Sequence, residues 1–175
     1  MKNIECNIYR IETALANITV YGNGHEVYVV ILDNKCCKKL QTNIETYLSN
    51  SRTGSPDEDI PKSFGNYFNT ASFLPELKPV FLWGTAFQRE VWKKTWFIPK
   101  GHAASYSDIA ESIGNPRAFR AVGRALNSNP IPILVPCHRI LSLYGLGGYA
   151  GGIELKRELL KFEGLRNLAF FRIIT

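Results

Sequence analysis

Long apolar runs are missing from this 175-residue sequence. None approaches the roughly 18 residues that a membrane span requires, because Pro, Lys or Arg interrupts each candidate. The opening Met1-Lys2-Asn3-Ile4-Glu5 lacks the basic-then-apolar order of a secretory signal. Cysteine is scarce and unpatterned: Cys6, Cys36, Cys37 and Cys137 include no C-x-x-C pair, which argues against a zinc knuckle, and they are too few for a disulfide scaffold in a chain of this size. No internal repeat occurs. With 45% hydrophobic and 21% charged residues, the composition excludes a disordered tail, a collagen-like fibre and a coiled coil. These absences describe a soluble intracellular protein with a packed core and no membrane partner.

Charge is unevenly spread. Residues 1–80 carry 8 basic and 9 acidic side chains, whereas residues 81–175 carry 13 basic and 6 acidic ones. A basic half beside a neutral half points to a polyanion such as nucleic acid, or to a solvated basic surface.

The first half reads as strands and then helix. Residues 14–21 and 25–32 flank Gly22-Asn23-Gly24, a hairpin signal. Leu40, Ile44 and Leu48 recur at helical spacing, which predicts a helix over about 35–49. Residues 49–61 read as a loop, and the aromatic stretch 62–80 fits either state. A domain boundary near residue 80 gives domains 1–80 and 81–175. In the second half Thr85-Ala86-Phe87-Gln88 fits a capping box that opens a helix to about Trp96. A second helix covers about 107–113, entered through Ser105 or Ser107. Gly114-Asn115-Pro116 turns the chain, and a third helix runs from about Pro116 to Asn127. The last two helices have the helix-turn-helix outline.

On that third helix Arg117, Arg120 and Arg124 share one face, with Ala118, Ala121, Gly123 and Ala125 short enough to let the backbone approach a duplex. Such a face supplies phosphate contacts without sequence selectivity, or it is simply solvated. Phe119 beside it reads as core or as a wedge against DNA. The following segment, with Pro130, Pro132 and Pro136, excludes helix and predicts an extended arm that delivers Cys137. A thiol of ordinary pKa about 8.5 needs a neighbouring base or cation. His138 follows directly, although consecutive strand residues point opposite ways. Glu163 closes a helix over 153–162 ahead of Gly164, where a carboxylate opposes the helix dipole and is best tolerated when paired, with His138 an available partner. The glycines of residues 145–152 suggest backbone shaped around a ligand. No Lys-Ser/Thr follows them, so they are not a phosphate loop.

Pro136-Cys137-His138-Arg139-Ile140 resembles the reactive motif of the O6-alkylguanine-DNA alkyltransferases, the methylated-DNA–protein-cysteine methyltransferases. The resemblance spans about residues 84–165, through Gly84 to Trp92, Ser105-Tyr106, Gly114-Asn115-Pro116, Arg120-Ala121-Val122-Gly123, Asn129-Pro130, Tyr149-Ala150-Gly151-Gly152 and Glu163-Gly164. It implies an α+β protein: a small N-terminal ribonuclease H-like α/β domain, then a mostly helical domain with a helix-turn-helix. It further implies stoichiometric, irreversible transfer of an alkyl group from O6-alkylguanine, with O4-alkylthymine a second substrate, in double-stranded DNA to Cys137. His138 deprotonates the thiol through a water and Glu163 orients the imidazole. Tyr106 donates to the leaving base, and Asn129 is a hinge. Arg120 replaces the flipped nucleotide in a minor-groove approach, with Arg117, Arg124, Ala121 and Gly123 on the DNA face. Ile140, Tyr149, Ala150, Gly151 and Pro132 form the pocket. The implied protein needs no cofactor, acts as a monomer, and resides in the cytoplasm of a prokaryote, at the nucleoid, or in a eukaryotic nucleus. Some relatives hold zinc in the N-terminal domain. Cys6, His25, Cys36 and Cys37 do not reproduce that spacing, so no metal is expected and Cys6, Cys36 and Cys37 read as structural thiols. Rival readings are a non-catalytic binder of alkylated DNA, which lacks the cysteine, an acyl-transferring cysteine hydrolase, and a helix-turn-helix regulator.

Overall fold

The hairpin signal forms a tight turn one residue later than expected. In the computed structural model, which describes residues 4, 6–33, 37–53, 58–70, 74 and 76–165, strand β2 (Asn17–Asn23) turns through Gly24 and His25 into β3 (Glu26–Leu32). Gly24 has φ +55°, a conformation glycine takes without steric cost. Strand β2 starts three residues later than expected, because the Thr13 hydroxyl donates to the Ala16 carbonyl (2.6 Å) and accepts from the Ala16 N–H (3.0 Å), closing a turn after β1 (Asn7–Glu12).

Helices and strands are mixed. The chain divides into two compact units, Met1–Trp83 and Gly84–Thr175. The first holds β1, β2, β3, α1 (Lys38–Tyr47), β4 (Arg52–Thr53), α2 (Asp59–Thr70) and β5 (Lys78–Pro79). Its sheet runs β4-β1-β2-β3-β5, antiparallel at the centre and parallel at both edges. Strand β3 is buried from Val27 to Leu32, as a strand covered on both faces must be. Tyr28, Val29 and Ile31 pack with Leu40 and Ile44 of α1. A Cβ on Gly22 would lie 2.5 Å from Ile60 Cδ1, which places α2 against the face of Ile18, Val20 and Gly22. One expectation needs correction. The predicted loop 49–61 contains β4 and the start of α2, where Pro61 sits in the first turn and has no intrahelical N–H bond to lose. The ambiguous stretch 62–80 is mostly α2 and β5. Cys36 and the start of the predicted helix 35–49 lie outside the described residues.

The second unit is built on α3 (Ala86–Trp96), β6 (Ala104–Ser105), α4 (Tyr106–Ser112), α5 (Phe119–Asn127), β7 (Ile140–Leu141) and α6 (Ile153–Phe162). Thr85 and Gln88 form the expected capping box, and Ser105 forms a second one with Asp108. The Trp92 indole donates to the Ala125 carbonyl (2.8 Å), tying α3 to α5. Helix α4 ends in a Schellman motif: Gly114 (φ +71°) donates to Glu111 and Asn115 to Ala110, both at 2.9 Å. The third helix begins later than expected. The Ala118 N–H bonds the Asn115 carbonyl (2.9 Å), so Pro116 and Arg117 belong to a turn and α5 starts at Phe119. Arg117 therefore leaves the helical face shared by Arg120 and Arg124. Among the described residues no helix is long and apolar enough to cross a membrane.

Candidate active site

The predicted extended arm is instead a chain of turns. Three prolines do exclude helix, but Asn129 folds the segment back. Its Oδ1 accepts from the Ile131 N–H (3.0 Å) and its Nδ2 donates to the Val135 carbonyl (2.9 Å). The Val135 N–H reaches the Ile131 carbonyl (2.9 Å). Ile133 takes φ +73°, a left-handed conformation that a β-branched residue rarely adopts. Pro136 then leads into one 3-10 turn, Cys137–Arg139, closed by the Arg139 N–H on the Pro136 carbonyl (2.9 Å). Cys137 and His138 therefore do not alternate across a strand. Ala104 and Ser105 pair in parallel with Ile140 and Leu141, which sets Tyr106, the first residue of α4, beside this turn.

Cys137 is 7% exposed and lines an open cavity of about 70 Å³. Tyr106, Tyr149, Ala150 and Gly148 line it from one side, Gly123, Leu126 and Asn127 from α5. The Asn129 Nδ2 donates to Sγ as well (3.2 Å). Burial pushes the thiol up, and the Asn129 amide, the Lys156 ammonium and the N–H groups of Cys137 and His138 oppose that push by favouring the anion.

Behind the sulfur lies a buried charge network. Glu163 caps α6 through a second Schellman motif, with Gly164 (φ +84°) bonded to Lys161 and Leu165 to Leu160 (2.9 Å each). Its Oε1 lies 2.9 Å from His138 Nε2 and accepts from Arg139 Nη2 (2.7 Å), while Oε2 accepts from Arg139 Nε (2.8 Å). Arg139 Nη1 donates to the Ile98 carbonyl (2.5 Å). Burial alone would raise the Glu163 pKa. The hydrogen bonds from His138 and Arg139 overcome it and hold the carboxyl well below the usual carboxylate range. An ionised carboxylate only accepts, so Nε2 carries the imidazole proton. Burial also lowers the His138 pKa, against the pull of Glu163, and the ring is neutral at pH 7. Its Nδ1, buried and without a partner among the described residues, is then a bare lone pair.

Two charged residues in this shell have no expected role from sequence. Arg139 is the clamp just described. Lys156 is fully buried and donates to the carbonyls of Ile140 (2.6 Å) and Gly148 (3.3 Å). Burial brings its ammonium down to about 8. It ties the strand after Cys137 to the loop that carries Tyr149.

The expected pocket is only partly assembled. Tyr149 and Ala150 line the cavity, whereas Ile140, Gly151 and Pro132 do not. Ile140 is wholly buried with its carbonyl on Lys156. A Cβ on Gly151 would fall 2.7 Å from the Tyr149 ring, so that glycine makes room for Tyr149. Pro132 lies in the turns before Val135. On the expected DNA face, Arg120, Ala121 and Arg124 are exposed on α5 and Arg117 is exposed in the preceding turn. Gly123 faces inward instead, where a Cβ would rest 3.6 Å from Tyr106. Burial pushes the Tyr106 phenol up, partly offset by the Gly148 backbone, so it remains a donor. Among the described residues no group of His, Cys, Asp and Glu side chains forms a metal site.

Gly147 has φ +70°, and a Cβ there would lie 2.7 Å from the Tyr106 hydroxyl. Gly147→Ala is expected to destabilise the fold by about 1–3 kcal/mol and to displace the phenol. Urea denaturation measures the first effect and the near-ultraviolet tyrosine signal the second.

Residues 86–165 match the family model described as the DNA-binding domain of 6-O-methylguanine DNA methyltransferase. The chain is 54% identical over 82 residues to a methylated-DNA–protein-cysteine methyltransferase of Methanosarcina acetivorans, covering 46% of this chain and 53% of that protein. The chain thus spans about half the length of the curated relatives it matches. Among solved structures it resembles the Mycobacterium tuberculosis O6-methylguanine methyltransferase, with TM-score 0.74, 31% identity, and 91% of this chain and 92% of that one covered. The DNA complex of the Mycobacterium tuberculosis OGT aligns with TM-score 0.76 at 30% identity, over 91% and 92% of the two chains.

Proposed function

Because the chain belongs to the O6-methylguanine DNA methyltransferase family, we propose that it repairs duplex DNA by moving an alkyl group from the O6 of guanine onto Cys137, once per molecule. The observation that carries this reading is the sulfur itself. Cys137 opens on a cavity, ringed by anion-stabilising donors, with a neutral imidazole next along the chain whose bare nitrogen has no other task. Residues 1–80 are taken as a ribonuclease H-like domain, and residues 81–175 as the part that holds the helix-turn-helix of α4 and α5. Arg120 fills the stack when the alkylated nucleotide is extruded, and Arg117, Arg124 and Ala121 meet the minor groove. A base within the stack cannot offer O6 to a buried sulfur, so extrusion, at a few kcal/mol, is required.

The chemistry follows from the residues. The thiol proton passes through a water to Nδ1 of His138, and Glu163 steadies the imidazolium that results. The sulfur attacks the alkyl carbon, an S–C bond forms as the C–O6 bond breaks, and the electron pair leaves with guanine. The Tyr106 phenol donates to the base as that charge develops. The thioether has no hydrolytic way back, and no cofactor is required. O4-alkylthymine is proposed as a second substrate. The protein is proposed to act as a monomer wherever the genome lies, at a prokaryotic nucleoid or in a nucleus. Incubation with O6-methylguanine duplex followed by intact-mass measurement should show one added methyl, mapped by peptide sequencing to Cys137. Turnover beyond one equivalent per protein would contradict the proposal.

A further inference from the structure

Phe119 opens α5 and is 45% exposed, and none of the chemistry above uses it. Its spacing to Val122 and Leu126 puts it in line with the buried stripe of the helix. At the N-terminus of α5 the ring nevertheless emerges from the core, next to exposed Arg120, whose guanidinium carbon stands 5.9 Å from the ring centroid. Small Ala118 and Ala121 flank the pair, and Arg117 and Arg124 complete a cationic surround suited to a phosphate-lined groove. A cation–π contact at an exposed site is weak enough to be given up when a better partner arrives.

The geometry points to Phe119 as an apolar wedge that works with Arg120 on the minor-groove side of the lesion. In the free protein the guanidinium rests beside the ring. On docking, Arg120 leaves the ring for the gap in the stack. The uncovered ring then packs against the sugar and base edge of the adjoining pair, as bulky apolar side chains do when they pry base steps apart. Phe119 is therefore a positioning residue for nucleotide extrusion and takes no part in the displacement. This inference rests on the duplex-repair reading.

The test compares single-turnover transfer to Cys137 from two substrates: O6-methylguanine in a duplex, and O6-benzylguanine as a free base, which needs no extrusion. Phe119→Ala should be slower on the duplex by about tenfold or more and unchanged on the free base. Phe119→Leu, which keeps apolar bulk but loses the ring, should stay within about twofold of the wild type on both. The free-base arm reports a correctly folded pocket. Phe119→Ala matching the wild type on the duplex, or losing equally on both substrates, overturns the wedge. So does Phe119→Leu falling as far as Phe119→Ala, since the ring would then act only through Arg120. A wild type that alkylates Cys137 with neither substrate removes the repair reading and the wedge together.

Discussion

Cys137→Ala should leave no measurable alkyl transfer, while binding to duplex DNA persists near the wild-type level. The loss is total because the displacement needs a nucleophile on the cavity wall, and no other residue lining that cavity carries a thiol. Cys37 is exposed in the other unit and serves as an internal control: in the wild type its mass must not change. Binding persists because the exposed cations of α5 and its preceding turn are untouched. The sulfur's hydrogen bond comes from an amide that keeps its bond to the Val135 carbonyl. Deleting the thiol leaves no orphaned buried donor, so the fold should lose little. Intact mass reads the first half of this expectation and fluorescence anisotropy with a labelled duplex reads the second. Residual methylation of the variant at another residue would remove Cys137 from its place as acceptor. A collapse of binding together with transfer would make the cysteine structural.

The sequence made much of this site readable, for physical reasons that differ by residue. The cap at Thr85 and the glycine stops at Gly114 and Gly164 are local chemistry, decided within a few residues, and they appear as expected, while of the two serines offered for the second helix Ser105 is the cap. Cys137, His138 and Glu163 stood out as reactive types in unusual surroundings. The segment from Asn129 to Cys137 misled, because prolines exclude helix without prescribing extension. The Asn129 side chain satisfies three backbone and sulfur partners at once and curls the chain. Pro116 misled similarly, since its fixed φ suits a turn as well as a helix start. Lys156 carried a signal that hydropathy alone hides. With Leu159, Leu160 and Glu163 it keeps an i, i+3, i+4, i+7 stripe that is buried along α6. Charges at both ends of an apolar stripe announce buried partners. The inward stance of Gly123, and the service that Gly151 gives to Tyr149, depend on residues far away in sequence.

Glu163→Gln should lower the transfer rate by about 100- to 10,000-fold, the range expected when a general base loses its orientation and correct tautomer. The glutamine amide can satisfy His138 Nε2 in either sense, so the proton is free to sit on Nδ1 and block the lone pair that must receive it. The same change leaves the Arg139 guanidinium buried without its counter-charge, and loss of one partner of a buried pair costs about 3–5 kcal/mol. Rates must therefore be measured at a temperature where circular dichroism shows the variant folded. The acid limb separates the two effects. Glu163 is held below its unfolded pKa by His138 and Arg139, so its contribution to stability is fully present above the ordinary carboxylate range and is lost as pH falls through and below it. Wild-type stability in urea should drop on acidification from about pH 5 toward 2, where the unfolded chain's carboxylate takes up its proton first, and the glutamine variant should drop less steeply because it has no carboxylate there to protonate. Equal slopes would mean that Glu163 is not ionised in the folded protein, and the tautomer assigned to His138 would fall with it.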